Sequence, residues 1–194
     1  MKLKGDEHIV ALCGSQRDSS HTHRALSKAL DAAEDRGATT DFVEVASLDL
    51  PLFDPDHSDA GDAPELRDRI GEADSVLLGS PIYHGSYASP LKTAVDYCGF
   101  DEFEGKTVGL LVVGGGDFPT PALEHLQSVS RELSAWVLPS GVAIPRAHEK
   151  FQDGRLTDEH LAERIDTLGA ELVRYAGVES YPETTTGCAI PRPD

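Results

Sequence analysis

The chain has 194 residues, 39% hydrophobic and 26% charged, the proportions of one soluble globular domain with mass enough for a sizeable core. Its 34 acids against 17 Lys and Arg give a formal charge of −17, which repels nucleic acid and anionic membranes alike. No apolar run reaches the roughly 18 residues of a membrane span, and Cys13, Cys98 and Cys188 are too scattered for a zinc site or a disulfide framework.

The acids form neither a terminal block nor a calcium-binding loop; they spread over helix faces and loops. Such a charge is tolerated best where salt screens it, so a halophilic source is expected. The opening MKLKGDEHIVAL lacks the apolar core of a secretory signal, and the expected location is the cytoplasm.

His8–Cys13 reads as the first strand, ending in the polar turn GSQRDSSHT. Ala25, Leu26, Ala29, Leu30 and Ala33 then recur at helical spacing, with Gly37 as the stop. Asp41–Ala46 alternates as a second strand, residues 47–63 form a long acidic loop, and a short helix begins at Pro64, a favoured first-turn position. Ser75–Leu78 is a continuous apolar strand followed by the loop PIYHGSYAS and a helix carrying Leu91, Ala94, Val95 and Cys98 on one face. Thr107–Val113 is a fourth strand, ending in Gly114, Gly115 and Gly116; Leu123, Leu126, Val129 and Leu133 mark the next helix. Trp136–Ile144 is a fifth strand interrupted at Pro139, Ser140 and Gly141, and Leu161, Ile165, Leu168 and Leu172 mark the last helix. Residues 1–177 are expected to form one domain, with 178–194 a flexible tail or an arm onto another subunit. Cys13 and Cys98 fall in apolar patterns and read as small buried hydrophobes.

Five strand–helix units with continuous apolar strands predict a parallel sheet covered on both faces, an α/β three-layer sandwich. Right-handed crossovers leave two main choices, the dinucleotide-binding order and the flavodoxin-like order 2-1-3-4-5. In the second, ligands bind beyond the carboxyl ends of strands one and three, and the loops after strands one, three and four hold the unusual residues.

The first of these opens a helix, whose free N–H groups and partial positive charge suit a phosphate. Ser15, Ser20 and Thr22 add hydroxyls, and Arg17 adds a charge-assisted bond. Taken alone, the loop reads equally as a capped, solvated turn. It lacks the GxGxxG that a pyrophosphate needs for close backbone approach, so a single phosphate, as in FMN, fits better. The second loop, Pro81, Ile82, Tyr83, His84, Gly85 and Ser86, offers apolar and aromatic surface for a flat ring; the alternative is a tight turn with chance aromatics. No carboxylate stands at an obvious spacing to make His84 a base. The third loop, Gly114, Gly115, Gly116, Asp117 and Phe118, lets a ring approach the backbone, although a glycine run alone is weak evidence.

Together the loops resemble the NADPH-dependent FMN reductase family, a flavodoxin-like group that includes quinone, azo-compound and chromate reductases. The family's G-S-x-R-x-x-S pattern is matched by Gly14, Ser15, Arg17 and Ser20. Its T/S-P-x-Y segment and following L-K-x-x-x-D are matched by Ser80-Pro81-Ile82-Tyr83 and by Leu91, Lys92 and Asp96. The resemblance spans residues 8–145. Thr22 stands where many members have Asn, Pro90 where Gly is common, and His84-Gly85 is a variant beside the ring.

The resemblance implies FMN as cofactor, its phosphate on Ser15, Arg17, Ser20 and Thr22 and its ring between the Pro81–Ser86 and Gly114–Phe118 loops. It implies hydride transfer from NADPH or NADH through FMN to a small acceptor such as a quinone or free flavin. The flavin carries that chemistry, so no catalytic acid, base or nucleophile and no metal is expected. A homodimer or homotetramer is also implied. The alternatives are a non-enzymatic electron carrier or a flavin-binding sensor module, although GSQRDSS is not the T/S-x-T-G-x-T loop of true flavodoxins. Three scattered cysteines do not hold an iron–sulfur cluster, and no G-x-S-x-G elbow marks a serine hydrolase.

Overall fold

Apolar stretches alternating with amphipathic helices assemble as one largely parallel sheet with helices on both faces in the computed structural model, which describes residues 7–177. The expected tail, 178–194, and Cys188 lie outside the described residues. Strand β1 (His8–Cys13) lies between β2 (Thr39–Glu44) and β3 (Ser75–Tyr83). The short β4 (Ser86–Tyr87) folds back on β3, whose other parallel neighbour is β5 (Thr107–Val113). The outermost position is shared by β6 (Trp136–Val137) and β7 (Val142–Ile144), both parallel to β5. The long strands thus take the expected order 2-1-3-4-5, the fifth position split where Pro139, Ser140 and Gly141 interrupt it. A separate hairpin joins β8 (Phe151–Gln152) to β9 (Arg155–Leu156).

The helices are α1 (His21–Glu34), α2 (Ala63–Glu72), α3 (Ser89–Asp96), α4 (Phe100–Phe103), α5 (Thr120–Glu132), α6 (Ala147–Lys150) and α7 (Glu159–Arg174). Alternation along the strands divides the core. Ile9, Ala11 and Cys13 of β1 face Leu26 and Leu30 of α1 and Leu168 and Leu172 of α7. Val10 and Leu12 face the opposite layer, with Leu66 of α2, Leu91 of α3 and Leu126 of α5. The buried hydroxyls of Ser75 and Thr107 donate to the carbonyls of Leu172 and Tyr175, 2.9 and 2.7 Å away, so the first residues of two central strands satisfy the carboxyl end of α7.

Close approach to α1 needs a glycine on both β3 and α7. A Cβ on Gly169 would stand 2.1 Å from the Ala29 carbonyl oxygen, where α7 crosses α1, and one on Gly79 would stand 2.4 Å from Leu26 Cδ1.

Two hairpins depart from the sequence reading, which treats PIYHGSYAS as loop. β3 runs on to Tyr83 and returns through β4, with Ile82 opposite Tyr87 and Tyr83 opposite Ser86. Between them His84 (φ 51°) and Gly85 (φ 80°) are both left-handed, as the twist of a two-residue hairpin requires. Asp153 (φ 46°) and Gly154 (φ 81°) make the same turn between β8 and β9. Cys13 and Cys98 are buried, and burial pushes their thiols up to about 11 and about 12, so neither is poised for nucleophilic chemistry.

Candidate active site

The segments after β1, β3, β5 and β7 meet at the carboxyl edge of the sheet and enclose a cleft of about 500 Å³. Nine of the residues singled out in the sequence line it: Ser15, Arg17, Ser20 and Thr22 from the first loop, Pro81, Ile82 and Tyr83 from the second, and Gly114 and Gly115 from the third. His84, Gly85, Ser86, Gly116, Asp117 and Phe118 are not in that lining.

The first wall is the turn into α1. Gly14 donates its N–H to the Gly79 carbonyl at 2.8 Å, which anchors the loop to β3. Ser20 is the N-cap of α1, its Oγ accepting from the His23 N–H at 3.1 Å. Helix geometry leaves the N–H groups of His21 and Thr22 without intrahelical acceptors, beside the mouth of the cleft. Ser15, Ser20 and Thr22 are all buried, and the Arg17 N–H donates to Ser15 Oγ at 3.4 Å.

The second wall is the end of β3. Ser80 Oγ accepts from the Ala88 N–H and donates to the Pro81 carbonyl, both at 2.8 Å, so a fully buried hydroxyl ties the wall to the start of α3. That helix opens at Ser89 with Pro90 in its first turn. Tyr83 is half exposed at the rim; His84 and Gly85 form the hairpin tip, and Ser86 Oγ lies 3.1 Å from His125 Nδ1.

The third wall is the glycine segment, strung against the chain that follows β7. Gly114 donates to the Ile144 carbonyl at 2.8 Å and accepts from the Ala147 N–H at 2.9 Å, while the Arg146 N–H donates to the Gly116 carbonyl at 3.0 Å. A Cβ on Gly115 would meet nothing within 4 Å. Asp117 is held 3.5 Å from Arg146 Nε, and Phe118 is 85% exposed.

Six lining residues were not singled out: Ser19, His21, Arg24, Val113, Ala147 and His148. Ala147 and His148 follow the fifth strand position, and the switch-point argument extended to that loop would have reached them. His21 stacks on Phe151 with centroids 4.4 Å apart, and its Nδ1 is buried without a hydrogen-bond partner. Burial, then the guanidiniums of Arg24 and Arg17, hold its imidazole below the ordinary range, so it is neutral at neutral pH.

No Asp or Glu lines the cleft, although the chain carries 34 of them. Among the described residues, neither Arg17 nor Arg24 lies in an ion pair. The cleft therefore joins a helix amino end, three buried hydroxyls and the Arg17 guanidinium to an apolar shelf of Pro81, Ile82 and Val113, with Arg24 a turn further along α1. These are the requirements of a flat molecule with an anionic tail.

A doubly wound sheet with such a cleft at its switch point defines a nucleotide- or flavin-binding α/β protein. The chain belongs to the NADPH-dependent FMN reductase family, whose model matches residues 8–149. It is 34% identical over 184 residues to the FMN-dependent NADPH-azoreductase of Staphylococcus saprophyticus, covering 89% of this chain and 96% of that one. It is 32% identical over 168 residues to a probable NADPH:quinone oxidoreductase 1 of Oryza sativa, covering 81% and 85%. The fold matches that of FerB, a flavoenzyme NAD(P)H:(acceptor) oxidoreductase of Paracoccus denitrificans, with a TM-score of 0.72 at 23% identity, over 87% of this chain and 96% of that one. Family membership makes the protein an FMN-dependent oxidoreductase fed by a reduced nicotinamide.

Proposed function

We propose that the cleft holds FMN with its phosphate on Ser15, Arg17, Ser20 and Thr22 and its ring against Pro81, Ile82, Tyr83, Gly114 and Gly115. The observation that carries this is the make-up of the phosphate end: Arg17, three buried hydroxyls and the amino end of α1, with no carboxylate in the lining, in a protein of −17. When bound there, FMN would supply the hydride and electron transfer between NADPH or NADH and a small acceptor such as a quinone, an azo compound or a free flavin.

The protein's own part is to bind, orient and shield. The amino end of α1 and Arg17 would neutralise the phosphate. Ser80 holds the β3 wall at a fixed distance from α3, so Ile82 and Gly114, whose Cβ would stand 3.2 Å from Ile82 Cδ1, bound a shelf of defined width. Gly115 adds no side chain above that shelf, which leaves one face open for a nicotinamide and then an acceptor. No side chain is assigned a proton transfer.

No helix among the described residues is long and apolar enough to cross a membrane, in keeping with a cytoplasmic enzyme. A homodimer or homotetramer is proposed from the family resemblance. The acidic surface fits a cytosol of high salt, and maximal stability in molar KCl is expected of an unfolding curve.

The deciding experiment is anaerobic stopped-flow mixing of the yellow protein with NADPH or NADH. Bleaching in one two-electron phase, reversed by a quinone with ping-pong kinetics, is expected. Absence of bleaching by either donor over minutes, in low or molar KCl, would leave the electron-carrier or sensor reading in its place.

A further inference from the structure

Arg24 has no role in the phosphate cradle described above, and its surroundings give it another. It lies one turn into α1 from Ser20 and lines the cleft. A Cβ built on Gly154 would stand 3.0 Å from Arg24 Cζ, so the guanidinium rests against a bare stretch of hairpin backbone. No carboxylate compensates it among the described residues, in a chain where acids outnumber Lys and Arg by 34 to 17. His21 stands beside it with a buried, unpartnered Nδ1. His148, also on the wall, is 69% exposed and has Glu149 at 3.7 Å, so it marks the rim rather than a charge reserve.

We infer that Arg24 is a specificity-determining residue for the donor: it receives the 2′-phosphate of NADPH and so favours NADPH over NADH. The inference rests on the reading of the cleft as an FMN site. A flavin monophosphate engages one guanidinium and one helix end, which accounts for Arg17 and leaves Arg24 over. The reaction brings one further anionic molecule to the cleft, the dinucleotide. A cleft of about 500 Å³ that already holds a flavin does not enclose a dinucleotide as well, so the donor's far end must emerge along the rim. NADPH differs from NADH there by one phosphate monoester, and the planar fork of an arginine matches such a group in two hydrogen bonds. The overall charge of −17 disfavours the more anionic donor, so selecting it requires a local cation that is not engaged in an ion pair.

The test uses the FMN-loaded protein and its Arg24→Ala and Arg24→Lys variants, each followed by three measurements: FMN affinity by flavin fluorescence, reduction by NADPH and NADH in stopped flow, and calorimetric titration with 2′-AMP and 5′-AMP. Wild type is expected to prefer NADPH and to bind 2′-AMP better than 5′-AMP. Arg24→Ala should lower the NADPH-to-NADH efficiency ratio about 10- to 100-fold, the span of a lost charge-assisted hydrogen bond, and abolish the 2′-AMP preference, with FMN affinity unchanged. Arg24→Lys should recover part of both. Equal losses with the two donors, an unchanged ratio, or no 2′-AMP preference in wild type would each overturn the assignment. Loss of FMN affinity in Arg24→Ala would make Arg24 part of the flavin phosphate site and overturn it too, leaving the FMN reading intact. Failure of either donor to bleach wild type would sink the reductase reading itself, and the 2′-AMP arm would still judge Arg24.

Discussion

The ring of His21 lies face to face with that of Phe151, centroids 4.4 Å apart and planes inclined by 21°, so the first residue of α1 is clamped by the β8–β9 hairpin. Phe151 is itself buried in the core layer of α1 and α7. Phe151→Ala is therefore expected to cost about 3 kcal/mol of unfolding free energy, the low end for truncating a buried phenylalanine. The amino turn of α1 should loosen with it, raising the FMN dissociation constant, whereas Phe151→Leu should keep most of both. Urea unfolding of the apoprotein and flavin titration measure the two effects. FMN affinity untouched by the Ala variant would separate the stack from the phosphate cradle.

Ser20 combines a structural and a proposed binding role, and one substitution divides them. Aspartate caps a helix as well as serine does, so Ser20→Asp should still accept the His23 N–H and unfold within about 0.5 kcal/mol of the parent. Its charge would face the flavin phosphate, so FMN should bind at least about tenfold more weakly, with riboflavin little changed. Arg17→Ala should discriminate in the same direction without touching the cap. Parallel losses for the two flavins would move the phosphate elsewhere.

Gly115 and Gly79 are expected to fail in opposite ways. A side chain at Gly115 enters open space, so Gly115→Val should unfold like the parent yet lose FMN, because the new branches occupy the shelf. At Gly79 a Cβ would stand 2.4 Å from Leu26 Cδ1, so Gly79→Ala should destabilise the apoprotein by about 1–3 kcal/mol, as overpacking does. Thermal melts of both apoproteins, with a flavin titration of the first, check the contrast.

Acid should weaken the fold in part through Asp41. Its carboxylate takes Arg69 Nε at 2.8 Å and Nη2 at 2.7 Å, and Nη2 also reaches the Phe42 carbonyl at 3.2 Å. The Arg69 hydrogen bonds hold the Asp41 carboxyl below its ordinary 3.8. A depressed folded-state value means stability present above pH 3.8 and lost as pH falls through the lower folded value. Asp41→Asn should thus be less stable than the parent at pH 7, and the gap should close as pH drops below that ordinary value. A gap that stays constant from pH 7 to pH 2 in chemical-denaturation series would assign the loss to packing.

The sheet was legible because its central strands are continuous apolar runs, and Thr107–Val113 is buried at every position. The three loops were legible because a switch point makes their contents meaningful before any contact is known. The hairpins were harder. Asp153-Gly154 is a strong turn signal, but its flanking strands have two residues each, too few for a period of two to show. Arg24 hid for another reason. It stands among Ala25, Leu26 and Ala29 in an ordinary amphipathic pattern, and its distinction, a place on the cleft lining with no ion pair among the described residues, exists only in the folded chain.

The split fifth strand has a consequence for the protein in crowded solution. Along the margin where the sheet stops, β6 has two residues and β7 three, with Pro139, Ser140 and Gly141 between them. A second molecule seeking to extend the sheet there would find no unbroken row of free amides and carbonyls to template on. The interruption that makes this strand hard to recognise thus also blunts it against intermolecular strand addition, a protection that holds even where concentrated salt mutes charge repulsion between copies.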